Sequence, residues 1–239
     1  GTHLRLCQDE GAKLEFAASG TFYSISTSGK GDRQHVQVNA GCILTTSNAG
    51  QIFNSRADGD ELWLSGEGEL NLSSSDVNAG CYLGWSGGSG AVTIDCSIRR
   101  IPGGMVTLGF WNATRYSFSG DNEITGTIRF HEGGTARDLT VPSFGTAEAA
   151  GPTGKGCAIE WGLKGCRLVY VGPGDTLTQP LVLTKDGCLA NEGSGTFRVE
   201  SAISGTGGLS LQGGAFAIAT DVPNALLPKP GVVTAFSLR

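Results

Sequence analysis

Short stretches of strict apolar–polar alternation, separated by Gly, Ser, Asn or Asp, recur along this chain from end to end. Lys13-Leu-Glu-Phe16, Phe22-Tyr-Ser-Ile25, His35-Val-Gln-Val38 and Glu61-Leu-Trp-Leu64 are early examples. Glu69-Leu-Asn-Leu72, Val92-Thr-Ile94, Arg115-Tyr-Ser-Phe118 and Thr127-Ile-Arg-Phe130 continue the pattern. Cys166-Arg-Leu-Val-Tyr-Val171, Pro180-Leu-Val-Leu183, Thr196-Phe-Arg-Val199 and Leu209-Ser-Leu211 complete it. A period of two is the signature of a strand with one face buried, and the intervening residues are turn formers. Ala147-Glu-Ala-Ala150 comes nearest to a helix, and Gly151-Pro152 cuts it off. The chain is therefore expected to be all-β, with strands of about four to six residues and no substantial helices.

The punctuation repeats as well. Ser28-Gly-Lys-Gly31, Ser65-Gly-Glu-Gly68 and Ser204-Gly-Thr-Gly207 share one pattern, and Ser19-Gly-Thr-Phe22 returns as Ser194-Gly-Thr-Phe197. Val38-Asn-Ala-Gly-Cys42 returns as Val77-Asn-Ala-Gly-Cys81. Spacings of about 40 to 45 residues suit two coils of a solenoid, each with three short strands and three corners. Glycine, at 39 of 239 residues, fits tight corners that need positive φ. A single-stranded parallel β-helix over residues 1–239 is the expected architecture, with a β-sandwich as the alternative. About ten coils stacked about 4.8 Å apart give a rod of about 50 Å. Leu4-Arg-Leu6 and Val232-Val-Thr-Ala-Phe-Ser-Leu238 are alternating sequence without a capping helix. They predict open sheet edges and self-association through the ends, or a segment of a longer protein.

Thr196-Phe-Arg-Val-Glu-Ser-Ala-Ile-Ser-Gly-Thr-Gly-Gly-Leu-Ser-Leu211 resembles the autotransporter-associated β-strand repeat: a strand, Ile-Ser-Gly-x-Gly-Gly-Leu, then a second alternating strand. Leu168-Val-Tyr-Val-Gly-Pro-Gly174 with Leu181-Val-Leu183 is similar to the segment that often precedes it. Residues 166–220 carry the closest likeness. The resemblance implies a right-handed parallel β-helix at the extracellular or outer-membrane surface of a Gram-negative-type bacterium. Its implied role is a passenger stalk, structural or adhesive, whose partner is a host or environmental glycan or protein.

Composition excludes several other roles. No apolar run approaches the ~18 residues of a membrane helix. A net charge of −5 without a Lys/Arg cluster argues against nucleic acid. The Gly-rich corners at Gly29, Gly66 and Gly205 precede strands rather than helices, so they are not phosphate loops. Gly84-Trp-Ser-Gly-Gly88 matches a nucleophile elbow in letters, but a strand rather than a helix follows Ser86. Asp58-Gly-Asp-Glu61 lacks the ligand spacing of a calcium loop and reads as a solvated turn. His3, His35 and His131 are scattered, and His35 alternates with Val36 and Val38 as an outward strand residue. No catalytic residue, metal ligand or cofactor emerges.

Two rival functions shape the remaining expectations. A polysaccharide-active β-helix enzyme would gather acidic and basic residues such as Asp95, Arg99, Arg100, Asp121 and Arg129 in one groove. A glycan-binding module would align two or more of Trp63, Trp85, Trp111 and Trp161 along one face as a stacking ladder. Of the seven cysteines, five follow Gly, as a small buried hydrophobe at a repeated position would. Cys157 and Cys166 are the best disulfide candidates, with Gly162 and Gly165 to turn the chain between them.

Overall fold

The structure is a computed structural model that describes residues 3–6, 12–27, 32–47, 51–54, 59–73, 81–83, 90–109 and 115–219. Its strands follow one another around three faces, and nine circuits are complete in the first two sheets. The first coil carries β1 (His3–Arg5), β2 (Lys13–Phe16) and β3 (Gly20–Phe22). The second carries β4 (Ser24–Ser26), β5 (Arg33–Val38) and β6 (Ile43–Thr46), and the third β7 (Gln51–Asn54), β8 (Glu61–Ser65) and β9 (Glu69–Leu72). The fourth has β10 (Cys81–Leu83), β11 (Ala91–Ile94) and β12 (Ser97–Arg100). The fifth and sixth have two strands each, β13 (Met105–Leu108) with β14 (Arg115–Phe118) and β15 (Thr127–Phe130) with β16 (Asp138–Val141).

Three-strand coils then resume. The seventh comprises β17 (Ala158–Trp161), β18 (Arg167–Tyr170) and β19 (Asp175–Leu177), and the eighth β20 (Leu181–Leu183), β21 (Gly187–Asn191) and β22 (Phe197–Val199). The ninth is β23 (Ile203–Gly205), β24 (Leu209–Gly213) and β25 (Phe216–Ile218). Taking one strand from every coil gives two nine-stranded parallel sheets, β1 to β23 and β2 to β24. The third face is split into a four-stranded and a three-stranded sheet. All described strand pairings are parallel, as a β-helix requires and a sandwich does not.

Alternation builds the core. Strand after strand shows the intermediate–buried pattern, and the buried residues stack in register from coil to coil. Val106, Ile128, Ile159 and Leu181 form one such inward row; Val92, Tyr116, Leu139 and Leu168 form another. Each fully buried Leu or Ile contributes about 2 kcal/mol. An aromatic stack of Phe144, Tyr170, Phe197 and Phe216 runs up the later coils, with successive ring centroids 4.9–5.3 Å apart in that set.

The repeated Ser-Gly-x-Gly unit does not mark one corner. At Ser65 it links the second sheet to the third, and at Ser204 it links the first to the second. What recurs is local geometry. Gly66 has φ +109° and a Cβ there would lie 2.1 Å from the Val38 carbonyl oxygen. Gly205 has φ +106° and would place a Cβ 2.3 Å from the Leu183 carbonyl oxygen. In both copies the corner rests on the backbone of the coil before it.

Phe22–Ile25, expected as one strand, is two: Tyr23 is a bend between β3 and β4. The Ala147–Ala150 stretch is a turn, in which the Thr146 hydroxyl accepts bonds from the amides of Glu148 and Ala149. It belongs to a long connection, residues 142–157, that covers the gap in the third face. Buried Asn122 holds this connection, donating Nδ2 to the Pro152 carbonyl at 2.8 Å and accepting from the Ile98 amide at 2.8 Å.

Candidate functional site

The outward residues of the second sheet form in-register rows along the rod. One row runs Arg33, Glu61, Ala91, Arg115, Asp138 and Arg167. Beside it run Lys13, His35, Trp63, Thr93, Ser117, Thr140 and Val169. In the middle coils the second row is short side chains, while Glu61, Arg115, Asp138 and Arg167 rise along the first. The result is a concavity of about 400 Å³ across six coils, from Glu61 to Glu192.

Its charges are unevenly satisfied. Arg167 grips Asp138 through both carboxylate oxygens, Nε to Oδ1 at 2.8 Å and Nη2 to Oδ2 at 2.5 Å. That fork pushes the guanidinium pKa up. Arg167 also reaches Glu192 at 3.5 Å. Glu61 receives Arg33 Nε at 3.0 Å and the Thr93 hydroxyl at 2.6 Å. Arg115 lies in the same row between Ala91 and Asp138, is exposed, and makes no hydrogen bond or ion pair with any described residue.

Trp63 lies in the second row, outside the lining of that concavity. His35, from the preceding coil, stacks on it with ring centroids 3.8 Å apart and planes 15° apart, and Arg33 of that coil sits 4.1 Å from the ring centroid. The indole Nε1 donates to Asp95 Oδ2 at 2.5 Å, and Ser119 donates to the other oxygen at 2.6 Å. In the following coil the register neighbour of Trp63 is Thr93. The indole is half-buried.

The expected tryptophan ladder does not form from the residues described. Trp161 is fully buried: it points inward from β17, stacks against Phe130 at 5.4 Å, and donates Nε1 to the Cys166 carbonyl at 3.0 Å. Its place in the alternation, two residues after the core residue Ile159, puts it inside, so it offers no face to a sugar. Trp85 and Trp111 lie outside the described residues, as do Ser86 and Asp58.

Cys157 and Cys166 are free thiols, which corrects the expected disulfide. They precede strands of two different sheets, and each sulfur has its own partner: Cys157 donates to the Ala158 carbonyl at 3.3 Å, and Cys166 accepts from the Arg137 amide at 3.3 Å. Cys42, Cys81 and Cys96 are likewise free and buried, and Cys188 is free and half-buried on the second sheet.

The acidic and basic candidates for a hydrolytic groove scatter over three faces. Asp95 is on the second sheet, Arg99 is on the third with Glu69 at 2.9 Å, and Arg129 is on the first with Glu160 at 3.2 Å. Arg100 is buried and bonded to the Leu72 and Met105 carbonyls, and Asp121 is an exposed residue just after the bend at Gly120. His131 packs edge-on to Tyr82 with centroids 5.6 Å apart, and His3 bonds to Ser24 at 2.7 Å. No group of three or more His, Cys, Asp or Glu with metal-binding geometry occurs among the described residues.

Arg115, Ser117 and Thr140 are the residues that reading the sequence did not select. Their outward phase is written in the alternation. Their alignment with Trp63 is not, because the loops between successive strands of the second sheet differ in length. Compared with family models, with curated proteins and with solved structures, the chain gives no match.

Proposed function

We propose that the chain is a non-catalytic β-helical rod displayed at the surface of a Gram-negative-type bacterium, a passenger-type stalk segment with a structural or adhesive role. The observation that carries this reading is the pairing of its outward charges across neighbouring coils. Arg33 with Glu61, Arg99 with Glu69, Arg129 with Glu160 and Arg167 with Asp138 each tie one coil to the next. Charges placed this way brace an extended rod. They also engage the carboxylates that glycoside hydrolysis would need free at a set separation. Nine coils at about 4.8 Å give a rod of about 43 Å. No cofactor is part of this reading, and a glycan or protein surface is the partner class.

The test joins two measurements. Antibody raised to the chain should stain intact producing cells as strongly as permeabilised ones, and staining only after permeabilisation would refute display. The purified chain should release no reducing ends from acidic or neutral polysaccharides. Release that disappears in Glu61→Gln or Asp138→Asn would make it an enzyme instead.

A further inference from the structure

We propose that Cys188 and Gln212 form an acyl-transfer site: the thiol displaces ammonia from the Gln212 carboxamide, and the resulting thioester passes its acyl group to a primary amine on a partner protein. This deepens the adhesive reading, rests on it for the partner, and makes the attachment covalent. Three observations lead to it.

The first is the meeting of nucleophile and electrophile. Cys188 on β21 and Ser210 on β24 are register partners, and Gln212 is the next residue of the same phase along β24. Diagonal neighbours of this kind are within reach of long side chains. The Cys188 Sγ lies 3.9 Å from Gln212 Oε1 and donates towards it. The carbonyl carbon is one bond of about 1.2 Å from that oxygen, so a side-chain rotation presents it to the sulfur. The second is a polarising cation. Arg167, the register partner of Cys188 in the coil before, holds Asp138 with Nε and Nη2, and its Nη1 reaches Gln212 Oε1 at 3.3 Å. A guanidinium there draws electron density from the carbonyl carbon and stabilises the oxyanion of a tetrahedral intermediate. The third is access. Cys188 is half-buried and Gln212 exposed, so an amine arriving from solvent meets the acyl carbon, whereas the other described cysteines are buried. Burial raises the Cys188 pKa and Asp138 adds to this, while the Ser210 hydroxyl and the charge of Arg167 act against it.

The steps balance without an oxidant or cofactor. Sulfur attacks Cδ of Gln212, the Cδ–Nε2 bond breaks, and the thiol proton leaves with the nitrogen as ammonia. The amine then attacks the same carbon, the C–S bond breaks, and an amine proton returns to the sulfur. Gln212 has become a substituted amide, and Cys188 is again the free thiol seen in the structure. Each chain acts once, because Gln212 is consumed, so this is not an enzyme that turns over. Lysine is the primary amine that a protein surface offers.

Incubation of the purified chain with methylamine, followed by peptide mass spectrometry, tests the site. Gln212 is expected to gain about 14 Da, methylamine taken up less ammonia released, with no loss of the Cys188 thiol. Cys188→Ala should abolish the gain while melting with the parent, and Arg167→Lys should slow it by roughly tenfold or more. Gln37, which accepts from Lys13 and is bonded to no cysteine, should gain nothing. No gain at Gln212, an equal gain in Cys188→Ala, or an equal gain at Gln37 would each overturn the site. Cys188-dependent conversion of Gln212 to glutamate without methylamine uptake would overturn the transfer to amines. Those outcomes leave surface display standing, because staining of intact cells is read independently. Uptake by a chain that stains only after permeabilisation would keep the chemistry and remove the adhesive reading.

Discussion

His35 and Trp63 stack face to face across two adjacent coils, 3.8 Å between ring centroids, and His35 also bonds to Ser65 at 2.7 Å. Partial burial holds the imidazole pKa below its ordinary 6.5, and the positive charges of Lys13 and Arg33 push the same way, opposed by Asp95. His131 is lowered too, first by burial and then by Arg137, with Arg129 adding and Glu132 opposing. A histidine whose pKa is depressed on folding is protonated first in the unfolded chain. Stability should therefore fall as the pH drops from about 7 through about 6.5 and towards the folded-state value. Thermal melts across that range should show the decline, with a shallower slope in His35→Gln. A melting temperature that rises on acidification through this window would contradict the assignment.

Glycine positions separate conformational strain from steric clash. A Cβ at Gly20 meets nothing within 4 Å and φ there is not positive, so Gly20→Ala should change stability by less than about 0.5 kcal/mol. Gly103 has φ +75° and open space, so Gly103→Ala should cost about 1 kcal/mol from backbone strain alone. Gly66 combines φ +109° with a 2.1 Å approach to the Val38 oxygen, and Gly66→Ala should cost about 3 kcal/mol or more. Urea titrations of the three variants should give that order. Equal losses at Gly66 and Gly103 would show that coils are not packed backbone to backbone at this corner.

Asn122 couples the long connection 142–157 to the stack. Asn122→Ala removes both amide bonds and strands the Ile98 amide and the Pro152 carbonyl in the interior, at a cost of about 2–4 kcal/mol. Asn122→Asp keeps the acceptor for Ile98 but sets an oxygen against the Pro152 carbonyl, and should cost at least as much. Hydrogen exchange should report the loss locally, at Gly154, Lys155 and Gly156, whose amides bond to Gly151, Ile124 and Thr146. Unchanged protection there would mean the connection is held by other contacts.

Thiol chemistry should follow burial. Desolvation pushes the Cys96 and Cys157 thiols up to about 12, so the thiolate needed for reaction is scarce at neutral pH. In the native protein Cys188, half-buried on the outer face, should react with a disulfide reagent well before Cys96 or Cys157. Denaturant without reductant should expose at least the six free thiols of the described residues. A count of five or fewer would restore a bridge such as Cys157–Cys166.

The alternation of apolar and polar residues determined a good deal by itself. It fixed an all-β chain of short strands, and it fixed which side of each strand faces inward. His35 at an outward position and Ile159 at an inward one are both written in local phase, because successive side chains of a strand point to opposite faces. Some strands were invisible. Ser97–Arg100 carries a charged residue at an inward position, Arg100, bonded to the Leu72 carbonyl far away in sequence, and Met105–Leu108 buries the outward-phase Thr107, which blurs its alternation. The repeated Ser-Gly-x-Gly motif predicted corners but not which corner, because any tight turn resting on the preceding coil needs the same glycines.

Only the tertiary structure decided what lies beside what. The first-sheet strands begin at residues 3, 24, 51, 81, 105, 127, 158, 181 and 203, so a coil takes between 21 and 31 residues. Loop length absorbs the difference without changing the ladder, since hydrogen bonding between strands fixes register whatever path the chain takes between them. Glu61, Ala91, Arg115, Asp138 and Arg167 share one row for that reason, although no constant sequence interval relates them. The same rule took Trp161 out of the expected ladder: its inward phase was local, and Phe130 and Cys166 closed around it only once the coils had stacked.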